Sequence, residues 1–119
     1  HEARENLALL AEKIGKEEEA LYHYRELARR RPKNLMSRLQ LSRLFIRQGR
    51  YEEAIQYLKE VLKINPNHEL AHLNLGSAYA MIKQYDKAED HFREALKINP
   101  HNNTARRNLN YIQKLRTGH

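Results

Sequence analysis

The chain of 119 residues contains no cysteine. Disulfide bonds, cysteine-ligated zinc and thiol nucleophiles are therefore excluded, and the redox compartment stays open because there is no thiol to protect or pair. Glycine and proline are also scarce, with four and three copies. Leu, Ala, Glu, Lys and Arg dominate instead, which favours an all-helical chain.

Long hydrophobic runs are missing as well. No run approaches the roughly 20 apolar residues that cross a bilayer. The opening residues, HEARENLALL, have neither an initiator methionine nor the layout of a signal peptide. We therefore interpret the chain as an excised or processed fragment, whose compartment these residues do not indicate. Its length suits one domain.

An internal period of 34 residues organises the chain. Pro32, Pro66 and Pro100 are separated by 34 residues in both intervals, and such self-similarity indicates stacked repeats. The same spacing aligns leucines, small residues, alanines and large apolar residues. The aligned sets are Leu7, Leu41, Leu75 and Leu109; Ala8, Ser42, Gly76 and Asn110; Ala11, Phe45 and Tyr79; Ala20, Ala54 and Ala88; and Tyr24, Leu58 and Phe92.

Each unit is predicted to form two helices joined by a short turn. Apolar residues recur at spacings of three and four in both helices, and proline ends the second helix because it disfavours helix at the residue before it. One hairpin alone cannot bury its apolar face, so the units must stack in one domain. The predicted units are 1–34, 35–68 and 69–102 with a last helix in 103–119, and the predicted helices are 2–14, 17–30, 35–48, 51–64, 69–82, 85–98 and 103–116.

The aligned columns resemble the tetratricopeptide repeat, whose pattern is W-x2-L-G-x2-Y … A-x3-F … P. The resemblance implies an all-α, right-handed superhelical array of antiparallel helical hairpins with seven helices. It also implies that residues 103–119 form a capping helix with a polar outer surface. The third unit carries most of the pattern, with His72 in place of the tryptophan, followed by Leu75, Gly76, Tyr79, Ala88, Phe92 and Pro100.

Residues 68–72, His-Glu-Leu-Ala-His, match the H-E-x-x-H motif of zinc metalloproteases. The period argues against that chemistry, because His68 falls at or before the start of its helix and the aligned residues of the other units are unrelated. Glu89 and Glu94, the candidates for a third ligand, lie in the paired helix, in columns that look solvent-facing. We predict no metal, no cofactor and no catalytic residue.

The resemblance implies a concave groove, lined by the first helices of the units, that binds peptides. Asn6, Gln40, Asn74 and Asn108 align there as a series of primary amides, which could bond an extended peptide backbone. Alternatively, these amides only support packing between repeats. Flanking residues make the groove acidic in the first unit, apolar in the middle and basic in the last. The remaining predicted groove residues are Leu9, Leu39, Arg43, Ile46, Leu73, Ser77, Arg107 and Tyr111.

The predicted partner is a protein or peptide segment. The family's carboxylate clamp for chaperone tails needs Lys and Asn where Glu5 and Leu9 stand, so an amphipathic segment with an apolar centre fits better. The net charge of +7 and the acid-free residues 103–119 could also steer acidic partners. Nucleic acid is not favoured, because the arginines at 29–31 lie at a helix end, where cations suit the helix dipole.

We therefore predict a non-catalytic protein–protein interaction module. One alternative is a regulatory or assembly segment of an enzyme such as a glycosyltransferase, with the catalytic part outside these residues, since the amide series is similar to that of glycosyltransferase-associated repeats. Another alternative is a scaffold that self-associates through Leu39, Ile46 and Leu73, because exposed apolar patches often serve this role.

Overall fold

The computed structural model describes residues 2–118, and in this range it has seven α-helices and no strand: α1 Glu2–Lys13, α2 Glu17–Arg30, α3 Leu35–Arg47, α4 Tyr51–Ile64, α5 Glu69–Met81, α6 Tyr85–Ile98 and α7 Asn103–Thr117. The prediction of an all-α chain with seven helices is confirmed. Helices α2, α4 and α6 have the predicted bounds, whereas α1, α3 and α5 end one residue earlier and α7 ends one residue later. None of these helices is both long and apolar enough to span a bilayer.

The first helices of the units end early because the turn that follows needs a residue in the left-handed conformation. Gly15 and Gly49 have φ of +81° and +74°, and Lys83 takes the same place with φ of +63°. In the third turn the N–H of Gln84 donates to the carbonyl of Tyr79 at 2.9 Å, and the first two turns repeat this bond. Positive φ is easily adopted by glycine but strained for lysine.

A second kind of turn precedes α3, α5 and α7. Asn34, His68 and Asn102 cap these helices, and each side chain accepts a hydrogen bond from the backbone N–H three residues further on. A proline stands two residues before each cap, where it prevents the preceding helix from continuing. The second helices lack side-chain caps but open with acidic residues, which suit the positive end of the helix dipole.

The helices pack in chain order into an elongated solenoid of 48 × 26 × 21 Å. Each helix contacts its neighbours along the chain, and α5 also contacts α7. The aligned Ala20, Ala54 and Ala88 are fully buried, so the paired helices approach closely. Gly76 serves the same end, because a Cβ added there would lie 2.5 Å from the ring of Phe92. Stacking of this kind sets the first helices side by side along the array.

Candidate functional site

The residues of the H-E-x-x-H match have structural partners. His68 is the N-cap of α5, and its Nδ1 accepts a hydrogen bond from the N–H of Ala71 at 3.2 Å. The Glu69 carboxylate accepts bonds from the side-chain amides of Asn99 and Asn102, at 3.0 and 2.7 Å. Glu69 thereby ties the start of α5 to the turn before α7.

His72, the last residue of the motif, is buried, with 7% of its surface exposed. Its Nε2–H donates to the carbonyl of Pro66 at 2.9 Å, and its Nδ1 lies within hydrogen-bond distance of the Nδ1 of His91, 3.1 Å away. Burial, followed by the proximity of His72, lowers the pKa of His91. The His91 ring also stacks on Tyr79, with ring centroids 5.6 Å apart. Both ring nitrogen atoms of His72 are thus engaged within the fold.

The two glutamates considered as further ligands also have partners. The expectation that Glu89 faces solvent was wrong, because its side chain is only 14% exposed and forms ion pairs with Arg93 and Arg116. The hydrogen bond from Arg93, partly opposed by burial, lowers the pKa of the Glu89 carboxyl. Glu94 pairs with Lys97 at 3.1 Å. In residues 2–118, no group of three or more His, Asp or Glu side chains could hold a metal ion.

Two cavities open between the first helices, where the groove was predicted. The first, which we name the α3–α5 cavity, has a volume of about 330 Å³. Five of the predicted groove residues line it, together with Leu70, which was not predicted from the sequence. The lining residues are Leu39, Gln40, Arg43, Ile46, Leu70 and Asn74.

The second cavity, named the α5–α7 cavity, has a volume of about 360 Å³ and is mostly apolar. It contains three of the predicted groove residues, Ser77, Asn108 and Tyr111. The other lining residues were not predicted from the sequence, although the exposed apolar side chains of Met81 and Leu115 were a usable signal. The remaining lining residues are Ala80, Lys83, Tyr85, Phe92 and Ile112.

Four predicted groove residues line neither cavity. Asn6 and Leu9 are exposed on α1, Leu73 is half-buried on α5, and Arg107 is exposed on α7. The structure therefore places most groove candidates of α3, α5 and α7 at the two cavities and leaves those of α1 outside. Their binding role stays a prediction.

The aligned side-chain amides differ in whether they have hydrogen-bond partners. The amide oxygen of Gln40 accepts from the Nε of Arg43 at 2.8 Å, and the same guanidinium donates to Glu12 at 2.7 Å. Asn74 and Asn108 are half-buried, and neither side chain has a hydrogen-bond partner in the part of the chain that the structure describes. These two amides retain their donors and acceptors for a ligand.

Glu12, on α1, neutralises the positive charge of Arg43 beside the α3–α5 cavity. Its carboxylate accepts from Arg43 and from the hydroxyl of Tyr24, the latter at 3.0 Å. Burial and this carboxylate raise the pKa of Tyr24. At the other end, Lys83 and Lys114 have no ion-pair partner among residues 2–118. The predicted groove would therefore have neutralised charge beside α3 and free positive charge beside α7.

Comparison with protein families identifies the repeat. A profile described as tetratricopeptide repeat matches residues 45–109, and a second profile with the same description matches residues 2–34. The first match alone covers more than half of the chain. No curated protein sequence matches it.

Solved structures with the same fold are numerous. The first TPR of Spaghetti (RPAP3), bound to the HSP90 peptide SRMEEVD, has a TM-score of 0.89 at 18% identity over 97% of this chain and 91% of that one. The second TPR domain of human RPAP3, in complex with the HSP70 peptide SGPTIEEVD, has a TM-score of 0.85 at 21% identity over 93% and 92%.

MamA is a further structure of this kind, with a TM-score of 0.88 at 23% identity over 94% of this chain. The match spans only 65% of the MamA chain. At such identities the likeness establishes the α-helical solenoid, and the sequence profiles establish the family. The chain belongs to the tetratricopeptide repeat family.

Proposed function

We propose that the chain is a non-catalytic module that binds a segment of another protein in the groove formed by α3, α5 and α7. The observation that carries this proposal is the pair of cavities with the free amides of Asn74 and Asn108 among their lining residues. The RPAP3 domains, which share the fold, are bound to chaperone peptides. This supports a peptide as the class of ligand.

The chemistry of the groove indicates an extended segment with an apolar centre. Asn74 and Asn108 can each donate to a peptide carbonyl and accept from a peptide N–H, which fixes the backbone without reading its side chains. A large apolar side chain fits the α5–α7 cavity beside Met81 and Leu115. An acidic residue next to it would face Lys83 or Lys114.

The ligand is proposed to differ from the HSP90 and HSP70 peptides bound by the RPAP3 domains. Glu5 and Leu9 stand where the carboxylate clamp has Lys and Asn. Glu5 would repel a carboxylate rather than bind it. The positive charge of the groove lies instead at the opposite end, beside α7.

A random-peptide display library tests the proposal. Peptides selected on the purified chain should carry an apolar residue flanked by acids. The double substitution Asn74→Ala with Asn108→Ala should weaken their binding about thirtyfold, since each residue loses a hydrogen bond that contributes on the order of 1 kcal/mol. The matched control is Gln56→Ala, on the exposed side of α4, which should leave affinity unchanged.

A third variant separates the cavity from the amides. Met81 is exposed at the rim of the α5–α7 cavity, so Met81→Glu should abolish binding of the apolar anchor without unfolding the chain. Circular dichroism confirms that each variant is folded. Selected peptides that bind all groove variants as tightly as the parent chain would refute the proposal.

A further inference from the structure

The turn between α5 and α6 contains a lysine in a backbone conformation that favours glycine. Lys83 has φ of +63°, and the aligned residues of the first two units are Gly15 and Gly49. The left-handed conformation is strained for a residue with a Cβ, and strained residues concentrate at functional sites. Lys83 is exposed and has no ion-pair partner within residues 2–118. These observations make it a candidate for a binding role.

Lys83 lines two adjoining cavities. One is the α5–α7 cavity, which is also lined by the apolar Met81 and Leu115. The other, which we name the α6–α7 cavity, has a volume of about 380 Å³ and opens between the start of α6 and the end of α7. Because Tyr85 lines both as well, a segment seated in the apolar cavity comes within reach of the second cavity. The remaining lining residues of the α6–α7 cavity are Gln84, Asp86, Lys87 and Arg116.

The α6–α7 cavity has an excess of positive charge. Arg116 is neutralised, because its guanidinium pairs with Asp86 at 2.6 Å and also with Glu89. Lys83 and Lys87 have no ion-pair partner in the described part of the chain. Their two ammonium groups would therefore attract an anionic group that enters this cavity.

The α3–α5 cavity, one repeat earlier, differs in this respect. The turn after α3 has Gly49, without a side chain, at the position aligned with Lys83. The cation that lines this cavity, Arg43, donates to the Glu12 carboxylate at 2.7 Å and to the amide oxygen of Gln40 at 2.8 Å. An acidic group at the α3–α5 cavity would therefore compete with Glu12 for its cation, whereas at the α6–α7 cavity it would not.

We propose that Lys83, supported by Lys87, binds a carboxylate of the segment held in the α5–α7 cavity and so selects segments with an acidic residue near their apolar anchor. This role rests on the proposed function and names the residue that recognises the charge of the ligand. Every second side chain of an extended segment points to the same face, so we expect the acid within two residues of the anchor. The contact is assigned to Lys83 and not to Lys114, which lines neither cavity.

Parallel peptide selections test this assignment. The same random-peptide display library is selected on the parent chain and on Lys83→Gln, which removes the charge and keeps a side chain of similar length. On the parent chain, selected peptides should be enriched in Asp or Glu within two residues of a large apolar residue. On Lys83→Gln the apolar residue should remain, and the proportion of acids should fall towards that of the unselected library.

A double-mutant cycle measures the contact itself. A peptide selected on the parent chain, and a copy with its acid replaced by Gln, are labelled with a fluorophore and titrated with both chains. The replacement should weaken binding to the parent chain about fivefold, because the ion pair is exposed and partly screened. With Lys83→Gln the same replacement should change the affinity less than about twofold, and the difference between the chains should shrink in high salt.

A charge-preserving variant separates the position of the charge from its amount. Lys83→Gly with Gly49→Lys moves the ammonium to the aligned turn of the second unit, where a Cβ meets no atom within 4 Å, and keeps the net charge of +7. It should bind the acidic peptide as weakly as Lys83→Gln does. Lys83→Arg keeps the charge in place and should bind within about twofold of the parent chain. The matched control Lys63→Gln, at an exposed lysine of α4 that lines neither cavity, should do the same.

The outcomes distinguish a failure of this role from a failure of the proposed function. If no peptide were enriched on the parent chain, both would be refuted. Peptides that keep the apolar residue and carry the same proportion of acids on the parent chain and on Lys83→Gln would refute the role of Lys83 alone. A loss of acid preference in Lys114→Gln, with none in Lys83→Gln, would also refute it. Circular dichroism of each variant establishes that weaker binding does not come from unfolding.

Discussion

The two ends of the solenoid are built from the same kind of helix and differ in what covers it. Helix α7 buries Ala105, Leu109 and Ile112, whereas α1 leaves the aligned Ala3, Leu7 and Leu10 exposed. The amino-acid pattern is almost the same at both ends. The difference shows that burial in a repeat protein belongs to the interface between neighbouring helices and not to the residue or its helix.

The largest expected effect comes from one aligned leucine changed in the middle and at the open end. Leu75 is fully buried, so Leu75→Ala should cost about 2–5 kcal/mol of unfolding free energy, from lost transfer energy and a cavity. Leu7 is half exposed, and Leu7→Ala should cost no more than about 1 kcal/mol. Urea denaturation of both variants measures the difference.

A third variant, Leu109→Ala, makes the same change at the α7 end of the solenoid. Leu109 is 8% exposed, so its loss should resemble that of Leu75 more than that of Leu7. Equal costs at positions 7 and 75 would mean that Leu7 is covered in solution. The comparison between the ends would then fail.

The helices could be predicted from the sequence because the period repeats each local signal. Three aligned prolines and three aligned alanines fix where hairpins begin, close and pack. The exposure of Leu7 could not be predicted this way, since its column contains the buried Leu41 and Leu75. The aligned position of a residue indicates which face of its helix a neighbouring helix would cover. Only the structure shows whether that neighbouring helix is there.

The candidate site was predictable to the extent that it follows the columns. Gln40, Asn74 and Asn108 were found because amides recur at one position. Met81 and Leu115 were missed because their column begins with Lys13 and Arg47 and reads as a solvated face. The α5–α7 cavity depends on these departures from the repeat, which no periodic pattern can supply.

A smaller effect on stability is expected where α5 and α6 pack closely in the third unit. The first unit carries a buried Ala8 where the third has Gly76. Gly76→Ala should cost roughly 1 kcal/mol, because its Cβ would meet the buried Phe92 ring at 2.5 Å, and that overpacking outweighs the gain in helix propensity. Thermal denaturation measures the change.

A double variant tests whether Phe92 is the cause. The second unit combines Ser42 with Leu58, a smaller side chain at the position of Phe92. Gly76→Ala together with Phe92→Leu should therefore cost less than the sum of the two single changes. Additive costs would show that another contact limits the space at Gly76.

The turns of the first and third units differ in the residue that has a positive φ. Lys83 has φ of +63°, where the first unit has Gly15 with φ of +81°. Lys83→Gly should stabilise the chain by roughly 0.5–1 kcal/mol, because it relieves the left-handed strain but enlarges the freedom of the unfolded chain. The converse change Gly15→Ala should destabilise it by a similar amount, and loss of stability in both would contradict the account.

The smallest effect at neutral pH is expected from His72 and His91, the histidine pair of the third unit. In the first unit the aligned pair is Arg4 and His23. The pKa of His91 is lowered in the folded chain, so below its ordinary value of about 6.5 the unfolded chain binds more protons. The contribution of the uncharged His91 ring to the free energy of unfolding is complete above about pH 6.5. It is lost as the pH falls towards the pKa of His91 in the folded chain.

Urea denaturation at pH 7.5 and pH 5.5 measures this loss in the third unit. His91→Gln keeps a polar side chain but removes the titrating group, so its stability should change less between the two values than that of the parent chain. The pKa values of Glu17, Glu26, Glu53 and Glu89 are lowered from 4.5, and their loss of charge falls below this window. If His91→Gln lost as much stability between pH 7.5 and pH 5.5 as the parent chain, the acid sensitivity would come from other residues.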